Sequence, residues 1–454
     1  MKGPAILALA LALGACAAAP PPPVATRAPV DLAAQRPEIS SRALFGAPNP
    51  FPPQRHNAQI AQDILELGFR LESGRDLPVF SRFEGPVGLR LQGQIPPLGV
   101  IETDRLIERM RREAGLDIRR GNAPSMITVE FVPRAPMRQL VPSAACFVVP
   151  NVESWAEFLA APRSSDLDWT RVAQRETVLV IVPADTTVQE MRDCLHEEVA
   201  QAMGPLNDLF RIGETVMNDD NFQTALTGFD MLVLRVWNDP ALRPGMTREQ
   251  VAARLPAILA RLNPRGQRAG PPLDPVPTPR AWTVAVETAL GTPRRSRAHA
   301  LAQDALGIAV RAGWRDERLA LALFLSARFA PEGDGQRAVA ALTQAAQLYG
   351  ARAGGDVPRA HVELHLAAQA LASGQTDLVL RLTDSAMPPA RRSENGALLS
   401  SLMLLRAEAL EQLDREAEAA RLRRQAAPFA VFGFGSEAAA IDRRNEIAAL
   451  VRRD

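Results

Sequence analysis

The stretch that most limits what this chain can fold into is a hydrophobic strand followed at once by a capped helix that a Gly-Pro pair stops. Thr177-Val178-Leu179-Val180-Ile181-Val182 is apolar without alternation, as expected of a strand covered on both faces. Thr187-Val188-Gln189-Glu190 then reads as a capping box, because a threonine with a glutamate three residues on can satisfy the first free amides of a helix. Val188, Met191, Leu195 and Val199 supply the buried stripe, and Gly204-Pro205 ends it. Within this helix and just beyond it the residues spell E-E-x-x-Q-x-x-G-x-x-N-D from Glu197 to Asp208, and Met217 follows one loop later.

Ahead of this unit the patterns predict helices over 56–69 and 103–114 and strands over 83–91 and 127–132. A short strand is expected at 146–149, and a helix over 226–237 and another through Leu259 follow the methionine. The expected fold is therefore an α+β domain with a small mixed sheet, placed at 56–262. Residues 263–281 are proline-rich without apolar periodicity and read as a linker. From 282 to 454 nearly every window has helical period. The pieces 364–386 and 402–426 look alike, with a fainter copy at 321–345. This all-α part resembles tetratricopeptide-type repeats, which implies a surface for a protein or peptide partner; an irregular helical bundle is the other reading.

The chain is 454 residues long with a formal net charge of +1, so no strong field points to nucleic acid. Residues 1–16 read as a secretory signal: Lys2, an apolar run from Ala5 to Leu13, and Leu13-Gly14-Ala15-Cys16 in the form of a lipobox. Cys16 is then the lipidation site, and the protein is expected in the cell envelope, held on a membrane and facing the periplasm; an ordinary secretion signal is the alternative. Residues 17–55, rich in proline, read as a tether. Cys146 and Cys194 are the two remaining cysteines. Export allows them a disulfide, and two buried thiols are the alternative.

The run 194–208, Val216 to Asp220, 226–230 and Pro244-Gly245-Met246-Thr247 resembles a family of bacterial envelope lipoproteins catalogued as a domain of unknown function. Its members look like relatives of metzincin proteases whose H-E-x-x-H-x-x-G-x-x-H zinc motif has become E-E-x-x-Q-x-x-G. The resemblance implies a zincin-like fold for roughly residues 80–250. It puts Glu197, Gln201 and Asn207 or Asp208 at the metal-ligand positions, Glu198 at the general base and Met217 in the methionine turn. Zinc sites favour imidazole or thiolate, whereas these positions carry carboxylate and amide oxygens, which suit calcium or magnesium better. His196 cannot replace the missing ligands, since the residue four further on is Ala200. No cofactor is expected, and the metal chemistry of a standard zincin is disfavoured.

Glu198 then has three readings: a buried structural carboxylate, a general base in a metal-free hydrolysis, or a cation ligand with Asp208, Asp219 and Asp220. Glu197 and Glu198 are adjacent and are expected on different sides of the helix. His361-Val362-Glu363-Leu364-His365 has histidines four apart but its glutamate is out of place, and is expected to be a solvated helix face. The functional expectation is a binding or scaffolding module on a zinc-less metzincin-like fold. The alternatives are a divergent hydrolase of peptides or peptidoglycan using Glu198, and an assembly protein in which the repeats alone matter.

Overall fold

A computed structural model of the chain describes residues 39–141, 144–218, 220, 222–270 and 277–451. The expected signal with Cys16, most of the tether, Asp219 and part of the linker lie outside them. The first half contains α1 (Ser41–Phe45), α2 (Asn57–Gly68), β1 (Arg82–Phe83), β2 (Val87–Gly93), α3 (Gly99–Ala114), β3 (Ile118–Arg120) and β4 (Ser125–Val132). It continues with α4 (Arg134–Leu140), β5 (Phe147–Pro150), α5 (Trp155–Ala160), β6 (Gln174–Arg175), β7 (Thr177–Pro183) and α6 (Val188–Met203). Helices α7 (Gly228–Trp237) and α8 (Arg248–Leu262) complete it.

Five strands form a mixed sheet in the order β3-β2-β4-β7-β5, all parallel except β5, which runs antiparallel to β7 along one edge. The uninterrupted apolar text of β7 has a simple cause. Val178, Val180 and Val182 enter the main core beneath α6, while Leu179 and Ile181 enter a second core with Val149, Val152 and Phe158. The stripe Val188, Met191, Leu195 and Val199 packs into the first of these, so α6 lies against β7 and the edge strand β5.

The second half is a run of helices: α9 (Arg280–Gly291), α10 (Arg295–Arg311), α11 (Glu317–Arg328), α12 (Gly335–Gly350), α13 (Asp356–Ala372), α14 (Thr376–Arg392), α15 (Gly396–Gln412), α16 (Glu416–Phe434) and α17 (Glu437–Ala448). The first helices of successive hairpins start at residues 280, 317, 356 and 396, a spacing of 37–40 residues. The three look-alike sequence pieces fall on α11–α12, α13–α14 and α15–α16. Turns of the stack centre on left-handed residues, among them Gly374, Glu394 and Asp414, with φ of 70°, 56° and 56°. Glycine adopts this conformation freely, while a side chain costs about 1–2 kcal/mol.

The two halves are not separate beads. Helices α11, α13 and α15 are buried along nearly their whole length, whereas α12 buries only Ala338, Leu342, Ala345 and Tyr349. What covers the inner helices is the first half of the chain itself. Phe222, in the loop after α6, stacks on His361 at 4.6 Å and meets Phe324 and Tyr349 edge-on at 5.5 and 6.1 Å. Phe210 packs against Trp282. The 361–365 stretch is therefore not a solvated face: His361 and His365 are both buried. Burial holds His361 down to about 3 and His365 well below its ordinary value, so both are neutral packing groups.

Residues 39–55 also depart from expectation. They form a strap across the seam between the halves rather than a free tether. The Ser41 amide donates to Glu102 Oε1 at 2.8 Å and its hydroxyl to Glu102 Oε2 at 2.5 Å. Phe45 packs on Phe429 and Phe432 of α16, and Arg392 lies over the Phe51 ring at 4.6 Å. Gly228 makes room for this path, because a Cβ there would sit 1.9 Å from the Phe51 carbonyl oxygen. Proline content predicts extension, and an extended segment can still dock when partners from two elements meet it.

Candidate functional site

Helix α6 is held at both ends. Thr187 Oγ1 accepts from the Glu190 amide at 3.0 Å, as predicted, while the Glu190 carboxylate also binds Arg134 at 2.8 Å and the Thr186 hydroxyl. At the other end the guanidinium of Arg175 donates to the carbonyls of Gln201, Ala202 and Gly204 at 2.7, 2.7 and 2.6 Å. A cation there binds three carbonyls at the helix end and meets the negative end of the helix dipole. Burial lowers Arg175 to about 9. No local pattern marks this residue in the sequence; it reaches α6 only because β6 pairs beside β1 at Arg82 and Phe83.

Cys146 and Cys194 form a disulfide with Cα atoms 5.9 Å apart, which ties the edge strand β5 to α6 one residue before its start. Just past the bridge lie the two glutamates. Atoms of Glu197, Glu198 and Cys146 fall within 4.8 Å of one another, with Glu198 buried and Glu197 half-buried. Adjacent positions on a helix diverge at Cβ, yet these long side chains bend to one locus, contrary to the expectation that they face apart.

The other motif positions point elsewhere. The Gln201 amide donates to Glu72 Oε1 at 3.2 Å, and the Asn207 amide donates to the Glu66 carbonyl at 3.1 Å. Both tie α6 and its exit to α2 and the turn after it. Asp208 is half-buried outside the glutamate pair's group.

Met217 is fully buried in the main core, and its carbonyl accepts from the Leu209 amide at 3.0 Å. The loop carrying it hangs on Asp230, whose carboxylate accepts from the Thr215 hydroxyl at 2.5 Å and the Val216 and Thr227 amides at 3.2 and 2.8 Å. Burial raises the Asp230 pKa, and these donors act in the opposite direction. Thr227 and Asp230 make a full capping box on α7, so this anchor did have a sequence signal. His196 Nδ1 accepts from the Leu226 amide at 2.9 Å; burial first, then the charges of Arg109, Arg192 and Arg105, keep it neutral.

The opposite flank of α6 is gripped by the helical stack. Glu394, in the left-handed turn between α14 and α15, accepts from Arg105 of α3 at 2.8 and 2.9 Å and from Arg192 of α6 at 3.0 Å. Arg192 also reaches the Glu394 carbonyl and Thr224. Beside it Gln189 donates to Asn395 Oδ1 and accepts from the Ala397 amide, both at 3.1 Å.

A DUF2927 domain, described as a protein of unknown function, spans residues 57–257. The match begins earlier than the residues that carry the resemblance, taking in α2, which anchors Asn207. None of the curated proteins and none of the solved structures matches the chain. The DUF2927 domain thus coincides with the sheet, α6, the methionine loop and most of α8, while the helical stack lies beyond it.

As a metal centre the donors fit poorly. The only sulfur in the glutamate group belongs to a disulfide and offers no thiolate, and no imidazole joins it among the described residues. Two carboxylates fall short of the roughly six to eight oxygens calcium takes. What the arrangement does offer is a pair of close carboxylates beneath an edge strand, on a helix fixed at both ends.

Proposed function

We propose that this is a membrane-tethered envelope lipoprotein, acylated at Cys16. In this reading its DUF2927 domain is a metzincin-like scaffold that has exchanged zinc chemistry for binding. The single observation that carries it is the use made of the ligand positions: Gln201 and Asn207 are committed to Glu72 and the Glu66 carbonyl, so the motif positions build the domain. Its partners are the membrane, through the lipid, and a protein or peptide on the repeats, with no nucleic acid. Since the inner helices α11, α13 and α15 are buried along nearly their whole length, the surface left to such a partner is the outer row, α10, α12, α14 and the part of α16 before Phe429.

Among the described residues no helix is long and apolar enough to cross a membrane. The test is metal analysis of the purified protein together with Glu198→Gln. A scaffold holds less than a tenth of an equivalent of zinc and keeps partner capture in the variant. One tightly held zinc refutes the reading.

The 4.8 Å grouping of Glu197 and Glu198 favours a second reading, a metal-free hydrolase. In this reading Glu198 serves as the general base that takes a proton from the attacking water. Turnover of peptide or peptidoglycan that falls at least 100-fold in Glu198→Gln would establish it.

A further inference from the structure

The end of the connection from β2 and the first turn of α3 read Ile95-Pro96-Pro97-Leu98-Gly99-Val100-Ile101, seven residues without a polar side chain. Surface connections normally draw on Gly, Asn, Asp and Ser, which satisfy their own backbone. Here Leu98 and Gly99 turn inward, while Ile95, Val100 and Ile101 stand 40%, 36% and 49% exposed with Pro97 exposed beside them. Single exposed aliphatics need no explanation, but a contiguous apolar tip does.

The tip is also firmly held. The Gln94 amide donates to the Phe131 carbonyl, Gly99 to Pro96 and Glu102 to Leu98, each at 2.9 Å, and two prolines stiffen the middle. A pre-ordered apolar loop loses little freedom when it docks.

Its position relative to the chain's N-terminal side is telling. Ser41 bonds Glu102, the neighbour of Ile101, and Ile39, two residues earlier, is itself 42% exposed. The chain from Cys16 therefore arrives beside the apolar tip. Residues 17–38 number 22, a length of chain that spans no more than about 80 Å whatever its conformation. A surface held within that range of its target meets it at high effective concentration, so even a weak apolar contact is populated. The charges near the tip are mixed, Arg120 facing Asp104 and Arg42 facing Glu108, so attraction to anionic lipid is not the driving force.

We infer that residues 95–101 form a lipid-contacting tip that seats the start of α3 on the bilayer to which the chain is anchored. The inference rests on the lipid-anchor reading above. The occupant is the bilayer interface itself, entered by Ile95, Val100 and Ile101 as an apolar wedge.

The test uses the full chain in vesicles of phosphatidylcholine and phosphatidylglycerol, with Ile101→Cys or Leu159→Cys carrying an environment-sensitive fluorophore. Cys16 is acylated in this reading and the other two cysteines are bridged, so the new thiol is labelled alone. Leu159 is 45% exposed on α5 and serves as the comparison. Lipids with a nitroxide on the acyl chain are expected to quench the label at 101 at least three-fold more than that at 159, with no change between 50 and 500 mM salt. Equal quenching at the two positions in acylated, vesicle-bound protein overturns the inference. So does shielding at 101 that follows protein concentration and not lipid, which would mark self-association. Intact mass and flotation report the acyl chain separately. An unacylated chain overturns the anchor reading, and the inference with it if the 101 label also stays unquenched.

Discussion

Replacing Glu394 by Gln should cost more stability than any other single change in the turns of the helical stack. The carboxylate accepts two bonds from Arg105 and one from Arg192, at 2.8–3.0 Å, and all three side chains are 7% exposed or less. Removing one partner of a buried ion pair leaves the other charge uncompensated, at about 3–5 kcal/mol. Glutamine keeps the size and one acceptor oxygen, so about 3 kcal/mol is expected for Glu394→Gln. Glu394→Gly loses the same ion pairs but relieves the left-handed backbone, which returns about 1 kcal/mol. The assay is urea unfolding followed by far-ultraviolet circular dichroism and tryptophan emission, with the disulfide intact. Because the turn joins α3, α6 and α15, both probes should shift together. A Gln variant within 0.5 kcal/mol of the parent would refute the reasoning, since it would mean the two arginines find other acceptors. A Gly variant more stable than the parent would show that backbone strain, not ion pairing, dominates the turn.

Two further outcomes follow from the same geometry. Burial pushes Glu214 up to about 7, against smaller opposing effects of Arg55 and the Gln54 amide, while Asp63 and Asp230 add to the rise. An acid whose folded pKa is raised contributes most below its unfolded value and loses that contribution as pH climbs through 7. Stability should therefore fall by on the order of 3 kcal/mol between about pH 4.5 and 7 from this group, and Glu214→Gln should remove that slope in pH-resolved denaturation. Phe222→Ala should cost about 3–4 kcal/mol by emptying the space between Phe324, Tyr349 and His361, and should raise hydrogen exchange in α11 and α13 although the substitution lies in the DUF2927 domain. Loss confined to that domain would mean the stack folds independently of it.

Much of the framework was legible along the chain because its signals are local. The cap at Thr187, the stripe from Val188 to Val199 and the two-faced strand β7 are patterns of neighbouring residues, and the structure realises them. The hairpins of the second half showed as repeated alanine and leucine text, and two cysteines left over from export were enough to suggest the bridge between Cys146 and Cys194. What local text could not convey was which surface each element meets.

His361 and His365 look like a polar face until Phe222, more than a hundred residues away, is laid against the first and Phe324 against the second. Arg175 has no pattern of its own and becomes the cap of α6 only once β6 lies beside β1. Glu394 reads as an ordinary turn residue and becomes the clamp on α6 only through two arginines from another domain. The residues from 39 to 55 carry proline and little periodicity, and their docking depends on a seam that exists only after both halves have folded. Caps and stripes stabilise an element from within and so repeat at fixed spacing. Buried charges and clamps are chosen by the desolvation of whatever arrives from elsewhere in the chain, and spacing along the sequence holds no record of that.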